Sequence, residues 1–174
     1  MVHATTRALI SLCVLLGAAT AAPAQARFNV PVEYFTLPNG LKVVVSEDKS
    51  APVVLVELMY NVGFRTEPKG RTGFAHLFEH MMFQGSGQVK KMEHVSLMQQ
   101  SGGVVNGSTR LDYTNYMQVL PSNALELALW LEADRMRSLD VSAENLKNQQ
   151  NVVSEEVRVN VLNQPHAAFE WLDI

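Results

Sequence analysis

The segment "GFAHLFEHMMFQGS", residues 73–86, constrains this chain more than any other stretch. Its apolar run predicts a helix from about Thr72 to Gln84, stopped by Gly85-Ser86-Gly87. Within that helix His76 and His80 are four residues apart and therefore share a face. Both imidazoles can aim a nitrogen at one point, and neutral imidazole is the commonest metal ligand. Glu79 lies near the same face, displaced to one side. A carboxylate there can reach a metal-bound water without being a ligand, which is the layout metal-assisted hydrolysis requires. The bland alternative is a pair of satisfied core histidines beside a surface glutamate. Three spaced ionisable groups in one apolar helix favour the metal.

The elements around this helix follow from hydrophobic patterning. "VPVEYFTLPNGLKVVVSED" reads as two strands about the turn "LPNG". "APVVLVELMYNVG" is a third strand, and its nearly continuous apolar character predicts burial on both faces. "KKMEHVSLMQQSGG" predicts a second helix ending at Gly102, and "VVNGSTRLDYTNYMQVLP" a hairpin turning at "RLD". Two longer helices follow, one in "PSNALELALWLEADRMRSL" and one capped near Ser142 and ending near Pro165. Strands, helices, a hairpin and two more helices make an α+β domain, a largely antiparallel sheet with helices packed on one face. Met81, Met82, Met92 and Met98 read as core filler, as do Trp130 and Met136 on the stripe of their helix. "EADR" reads as packing through salt bridges. Ser154 has no histidine–acid arrangement around it, so a serine hydrolase has no support.

The N-terminus reads differently. One cation, Arg7, precedes the apolar run "ALISLCVLLGAATAA", and Ala24 and Ala26 form a small-residue cleavage pattern. Residues 1–26 are expected to be a signal peptide, and 27–174 a domain delivered to the periplasm. An uncleaved anchor is disfavoured because the run is shorter than the roughly 20 residues a spanning helix needs. A lipoprotein reading through Cys13 fails on Leu12, where a small residue is expected. Cys13 is the chain's one cysteine, so its core must hold the expected mature domain without disulfides. The whole chain carries a net charge of −3, and loss of Arg7 would make it −4. That balance and the lack of a basic run exclude a nucleic-acid partner. No later segment predicts a membrane span.

A catalytic zinc site takes three protein ligands plus water. His94 and His166 are candidates for the third, but each stands alone in polar surroundings; "SEEVR" offers Glu155 and Glu156. At about 100° per residue, Leu146, Val153, Val157 and Val161 form one apolar arc. Glu156 falls on its edge, while Glu155 points the other way with Asn151 and Arg158. A carboxylate bordering a buried face needs a partner, which a metal would supply. A solvated helix-boundary Glu explains the same phase equally well.

The H-x-x-E-H order of "HLFEH", with Glu156 following His80 in the last helix, resembles the pitrilysin-type (inverzincin) zinc peptidases, a family that includes insulin-degrading enzyme and the mitochondrial processing peptidase. "LPNGLKVVV", "GFAHLFEHMMFQGS", "VNGSTRLDYTNYMQVLP", "LWLEADRM" and "QQNVVSEEVRVN" occur in the family's order across residues 32 to about 165. The resemblance implies His76, His80 and Glu156 as ligands of one Zn2+ per chain, and Glu79 as the general base activating a zinc-bound water. It implies that Asn106 and Gly107 lie on a strand edge that pairs with an extended peptide, and that Phe83 helps wall the pocket. Gln149 stands where the family often has a second glutamate, and can serve as a hydrogen-bonding neighbour of the ligands rather than a charge. The implied activity is a metalloendopeptidase acting on peptides or small unfolded proteins. Family members pair two such halves, so 27–174 reads as an N-terminal domain incomplete at its C-terminus. The rival reading is a non-catalytic half-domain that needs a second half or a homologous partner subunit. A zinc hydrolase of another acyl substrate is a third, which the strand "VVNGST" disfavours.

Overall fold

The structure, a computed structural model, describes residues 30–163; the expected signal peptide, His166 and Pro165 lie outside them. Two compact units divide at Lys49 and Ser50. The first contains the antiparallel hairpin β1 (Glu33–Thr36) and β2 (Lys42–Val45), with Glu33 opposite Val45. Its "LPNG" turn closes through Gly40 N–H to the Leu37 carbonyl at 2.8 Å, and the Asn39 side chain accepts from Leu41 N–H at 3.1 Å.

The second unit contains β3 (Val53–Tyr60), α1 (Phe74–Met81), α2 (Glu93–Gln100), β4 (Val104–Thr109), β5 (Thr114–Pro121), α3 (Leu125–Ser138) and α4 (Ala143–Val157). Its three strands form an antiparallel sheet in the order β3-β5-β4. Register places Val56 and Val105 on either side of Gln118, and Leu58 and Gly107 on either side of Tyr116. These inward positions meet the helices. Val56 and Leu120 of the sheet join Val89, Met98 of α2 and Ala128 and Leu131 of α3 in one core. Side chains as fully buried as Met98, Leu120 and Leu131 each contribute roughly 1.5–3 kcal/mol of transfer free energy.

The expected antiparallel sheet with helices on one face is therefore present. β3, however, alternates rather than being buried on both faces. Val53, Leu55 and Met59 are more than half exposed, because helices cover only the opposite face among the described residues. The continuous apolar run reflected composition, not two covered faces. Met81 and Met98 do fill the core, but Met92 is exposed, with a left-handed backbone at the start of α2. Trp130 and Met136 are also exposed, so the buried face of α3 is Ala128, Leu131, Glu132 and Arg135 instead.

Three tethers set where α1 and α4 lie. The loop before α1 presses on the β4–β5 turn: Phe64 N–H donates to the Arg110 carbonyl at 3.1 Å and Arg65 N–H to that of Leu111 at 2.8 Å. Only glycine fits at 63, because a Cβ there would lie 2.2 Å from the Arg110 carbonyl oxygen. After α1, Ser86 Oγ donates to Asp134 at 2.6 Å and Gln88 N–H to the same carboxylate oxygen at 3.2 Å, tying the loop to α3. Asp140 N–H then donates to the Gly85 carbonyl at 3.0 Å, which brings the start of α4 beside the end of α1. Ser142 caps α4 by accepting from Asn145 N–H. Past Val157 the helix widens into a π turn, Arg158–Leu162.

Candidate metal centre

α1 is shorter than the expected Thr72–Gln84 helix, spanning Phe74–Met81, with residues 82–84 as turns bonded back onto it. Gly73 at its N-cap has no side chain to cap with, and Glu67 substitutes. One carboxylate oxygen of Glu67 accepts from Gly73 N–H at 2.8 Å and the other from Ala75 N–H at 2.7 Å. Two orphan donors of the helix end are thereby satisfied, and a negative charge sits at the positive end of the helix dipole.

From this helix His76, buried, and His80, partly buried, point their Nε2 atoms to one place, 3.2 Å apart. Glu156 of α4 reaches the same place: Oε2 lies 3.2 Å from His80 Nε2 and 3.7 Å from His76 Nε2. All three donor atoms fall within 4.8 Å of one another. Ligands about 2.0–2.1 Å from a tetrahedral zinc ion lie roughly 3.4 Å apart, so this donor set fits that ion in both spacing and chemistry. Glu155 turns away to an exposed ion pair with Arg158, whose guanidinium hydrogen bond holds the Glu155 carboxyl below its usual range. The two glutamates thus lie on different sides of their helix, as helical phase predicts.

Glu79 projects from the same helix towards the sheet. Thr109 Oγ1 donates to its Oε2 at 2.6 Å. A Cβ at position 107 would come within 3.1 Å of Glu79 Cγ and Oε1, so glycine there gives the carboxylate room to lie along β4. Asn106 is on the exposed face of β4, its side chain accepting from Gly107 N–H at 3.0 Å. β4 is an edge strand, bonded among the described residues only to β5. Gln149 is buried on α4. The Phe83 ring is partly buried, 6.4 Å from the His94 ring and 6.1 Å from that of Tyr116.

His94 is placed very differently from its polar sequence neighbours. It is 4% exposed, and burial, helped by the charge of Arg135, pushes its pKa down to about 4 against a weaker opposing effect of the neighbouring Gln118 side chain. Around it stands a second polar group of the interior. Glu132 accepts from both Arg135 and Gln118, and Arg135 lies 4.4 Å over the Tyr116 ring. Burial raises the Glu132 pKa, against the lowering effect of Arg135, and burial raises that of Tyr116. Sequence reasoning missed Glu67 and Thr109 as neighbours of the site. An acid six residues before a glycine N-cap was the available signal for Glu67; nothing local marked Thr109.

Two helical histidines and a glutamate from a distant helix thus form a donor set that could hold a metal ion, with a second carboxylate, Glu79, on the histidines' own helix. Residues 42–173 match the family Insulinase (Peptidase family M16), and the chain belongs to that family. It is similar to the zinc protease PqqE of Helicobacter pylori, 34% identical over 167 residues that make up 95% of this chain and 38% of the relative. It is also similar to an insulin-degrading enzyme homolog of Dictyostelium discoideum, 33% identical over 66% of this chain and 12% of the relative. Among solved structures, a protease from Helicobacter pylori matches with a TM-score of 0.78 and 34% identity, covering 80% of this chain and 34% of that one. Pitrilysin matches at 0.69 and 25%, covering 77% of this chain and 14% of its own. The chain therefore spans well under half the length of these relatives.

Proposed function

We propose that this chain carries the catalytic site of a zinc-dependent endopeptidase acting on peptides or small unfolded proteins. The observation that carries the reading is the convergence of His76, His80 and Glu156 from two helices on one point. Two neutral imidazoles and one carboxylate would hold a single zinc. When bound, that ion supplies a Lewis acid and lowers the pKa of a water molecule to about 7. Glu79 would accept a proton from the attacking water at Oε1, with Thr109 holding Oε2, and would return it to the leaving amine. The open edge of β4, with Asn106 and Gly107, binds an extended substrate through main-chain hydrogen bonds. That mode reads backbone more than side chains, which suits a peptidase of broad preference. Gln149 serves from α4 as a buried, uncharged neighbour of the ligands.

The test is metal analysis and peptide hydrolysis on the wild type, Glu156→Gln and Glu79→Gln. We expect one zinc per wild-type chain, much weaker binding after the first change, and retained zinc without hydrolysis after the second. A wild type that takes up no zinc overturns the assignment. Zinc binding with hydrolysis only after a homologous second domain is added would place the remaining determinants outside these residues. Export to the periplasm is part of the same proposal, supported by the composition of residues 1–26. Expression in a Gram-negative host should give a periplasmic protein whose N-terminus is Arg27; an intact Met1 end counts against it.

A further inference from the structure

We infer that Thr109 is a positioning residue for Glu79, fixing which carboxylate oxygen is left to handle the proton. The inference rests on the peptidase reading only for its consequence in turnover; the geometry stands apart from it. The 2.6 Å contact joins Thr109 Oγ1 to Glu79 Oε2 across 30 residues of sequence, from β4 to α1. The Thr109 hydroxyl is the donor in this bond and the carboxylate oxygen the acceptor. Bonds of this kind to a charged acceptor are short and about twice as strong as neutral ones.

The hydroxyl has little else to do with its proton. Thr114, its cross-strand partner, lies 3.4 Å away but donates to the Val62 carbonyl at 2.9 Å. The contact between the two hydroxyls has Thr114 donating to Thr109, which leaves the Thr109 proton for the much closer carboxylate. The backbone under Thr109 is itself pinned. It closes the β4–β5 hairpin, where Arg110 N–H donates to the Tyr113 carbonyl at 2.8 Å, and the Gly63 loop presses on the same turn.

Two residues earlier on the same face of β4, Gly107 completes the seat. Its missing Cβ is what lets Glu79 Cγ and Oε1 lie against the strand. Thr109 thus holds one oxygen by a hydrogen bond, and Gly107 leaves the other unobstructed. A strand expected to contact substrate at its edge also orients the base through its inward face. Strand alternation makes both tasks available to one short segment.

The experiment compares Thr109→Val, which keeps the shape and loses the donor, with Thr109→Ser, which keeps the donor. Each is made in the full zinc-loaded chain, together with the wild type. Zinc content and resistance to a chelator should be unchanged in both variants. Crystal structures should show the Glu79 carboxylate turned off β4 in the Val variant and in place in the Ser variant. Peptide hydrolysis by the Val variant should fall about tenfold to a hundredfold in kcat with little change in KM, as expected for one hydrogen bond to a charged group. Ser should restore kcat to within about threefold. An undisturbed Glu79 in the Val variant, or a Ser variant as impaired as Val, overturns the inference. A wild type that hydrolyses no peptide even with a homologous second domain added sinks the peptidase reading instead, and the Glu79 position in the two variant structures still decides the role of Thr109.

Discussion

Two groups of histidine, glutamate and their partners lie in this domain, and they have opposite energetic characters. At the candidate metal centre, His76, His80 and Glu156 point donor atoms at one shared point, in spacing that fits a cation. In the interior, Glu132 is closed off by Arg135 and Gln118, and His94 is buried among them in its neutral form. The first group brings together donor atoms whose chemistry suits a cation. The second meets its own charge internally and supports the sheet on which Tyr116 and Gly107 sit. Histidine and glutamate occur in both; what differs is that an arginine stands against the glutamate in the interior, while donor atoms converge at the candidate centre.

The largest effect should come from breaking the interior group. Arg135→Met removes the cation and leaves Glu132, 1% exposed, with a buried charge and only an amide partner. Such a loss costs about 3–5 kcal/mol. Urea denaturation should show it as a lowered midpoint with an unchanged slope. Changing Arg135→Met and Glu132→Leu together should cost much less than Arg135→Met alone, since no orphaned charge remains. A double variant as unstable as the single one would show that packing by the guanidinium over Tyr116, not charge, is what matters. His76→Ala should behave oppositely, losing zinc while the fold persists, because the core of Met98, Leu120 and Leu131 does not involve it.

Next in size is a pH effect confined to the interior. The unfolded His94 titrates near 6.5 and the folded one near 4, so the unfolded chain binds more protons between those values. Its neutral state therefore contributes stability that is fully present above about pH 6.5. That contribution is lost as pH falls through the window, amounting at most to about 3 kcal/mol below pH 4. Unfolding free energies of wild type and His94→Gln measured from pH 7.5 to 4 should converge as the pH drops. Parallel curves would show that His94 does not titrate with unfolding.

Much of this contrast was legible in advance, and unevenly. Four-residue spacing in an apolar helix announced that His76 and His80 would converge, because periodicity is a local property. Glu156 could be told from Glu155 by phase, since the apolar arc of α4 fixes which side faces α1. The hairpins followed from alternation and turn residues. What could not be read were facts settled by distant chain. His94, flanked in sequence by Glu93 and near Lys90 and Lys91, looked solvated until the fold set it against Phe83. β3 looked buried on both faces because its outward residues are apolar too. Thr109 reaches Glu79 only because three strands and a glycine contact bring the β4–β5 turn to α1.

The smallest effect worth testing separates support of the metal helix from support of the core. Glu67 caps α1 with both carboxylate oxygens, at 2.8 and 2.7 Å. Glu67→Gln keeps one acceptor and removes the charge that complements the helix dipole; Glu67→Ala removes both. Cap losses of this kind cost about 0.5–2 kcal/mol, so Gln should sit at the low end and Ala at the high end. Because the first turn of α1 contains His76, the Ala variant should also exchange its amides at Ala75 to Leu77 faster, while those of β5 keep wild-type protection. Hydrogen exchange resolved by residue would read both at once. Loss of protection in β5 as well would mean that the metal helix and the interior group unfold as one unit, and the distinction between them would then be one of chemistry alone.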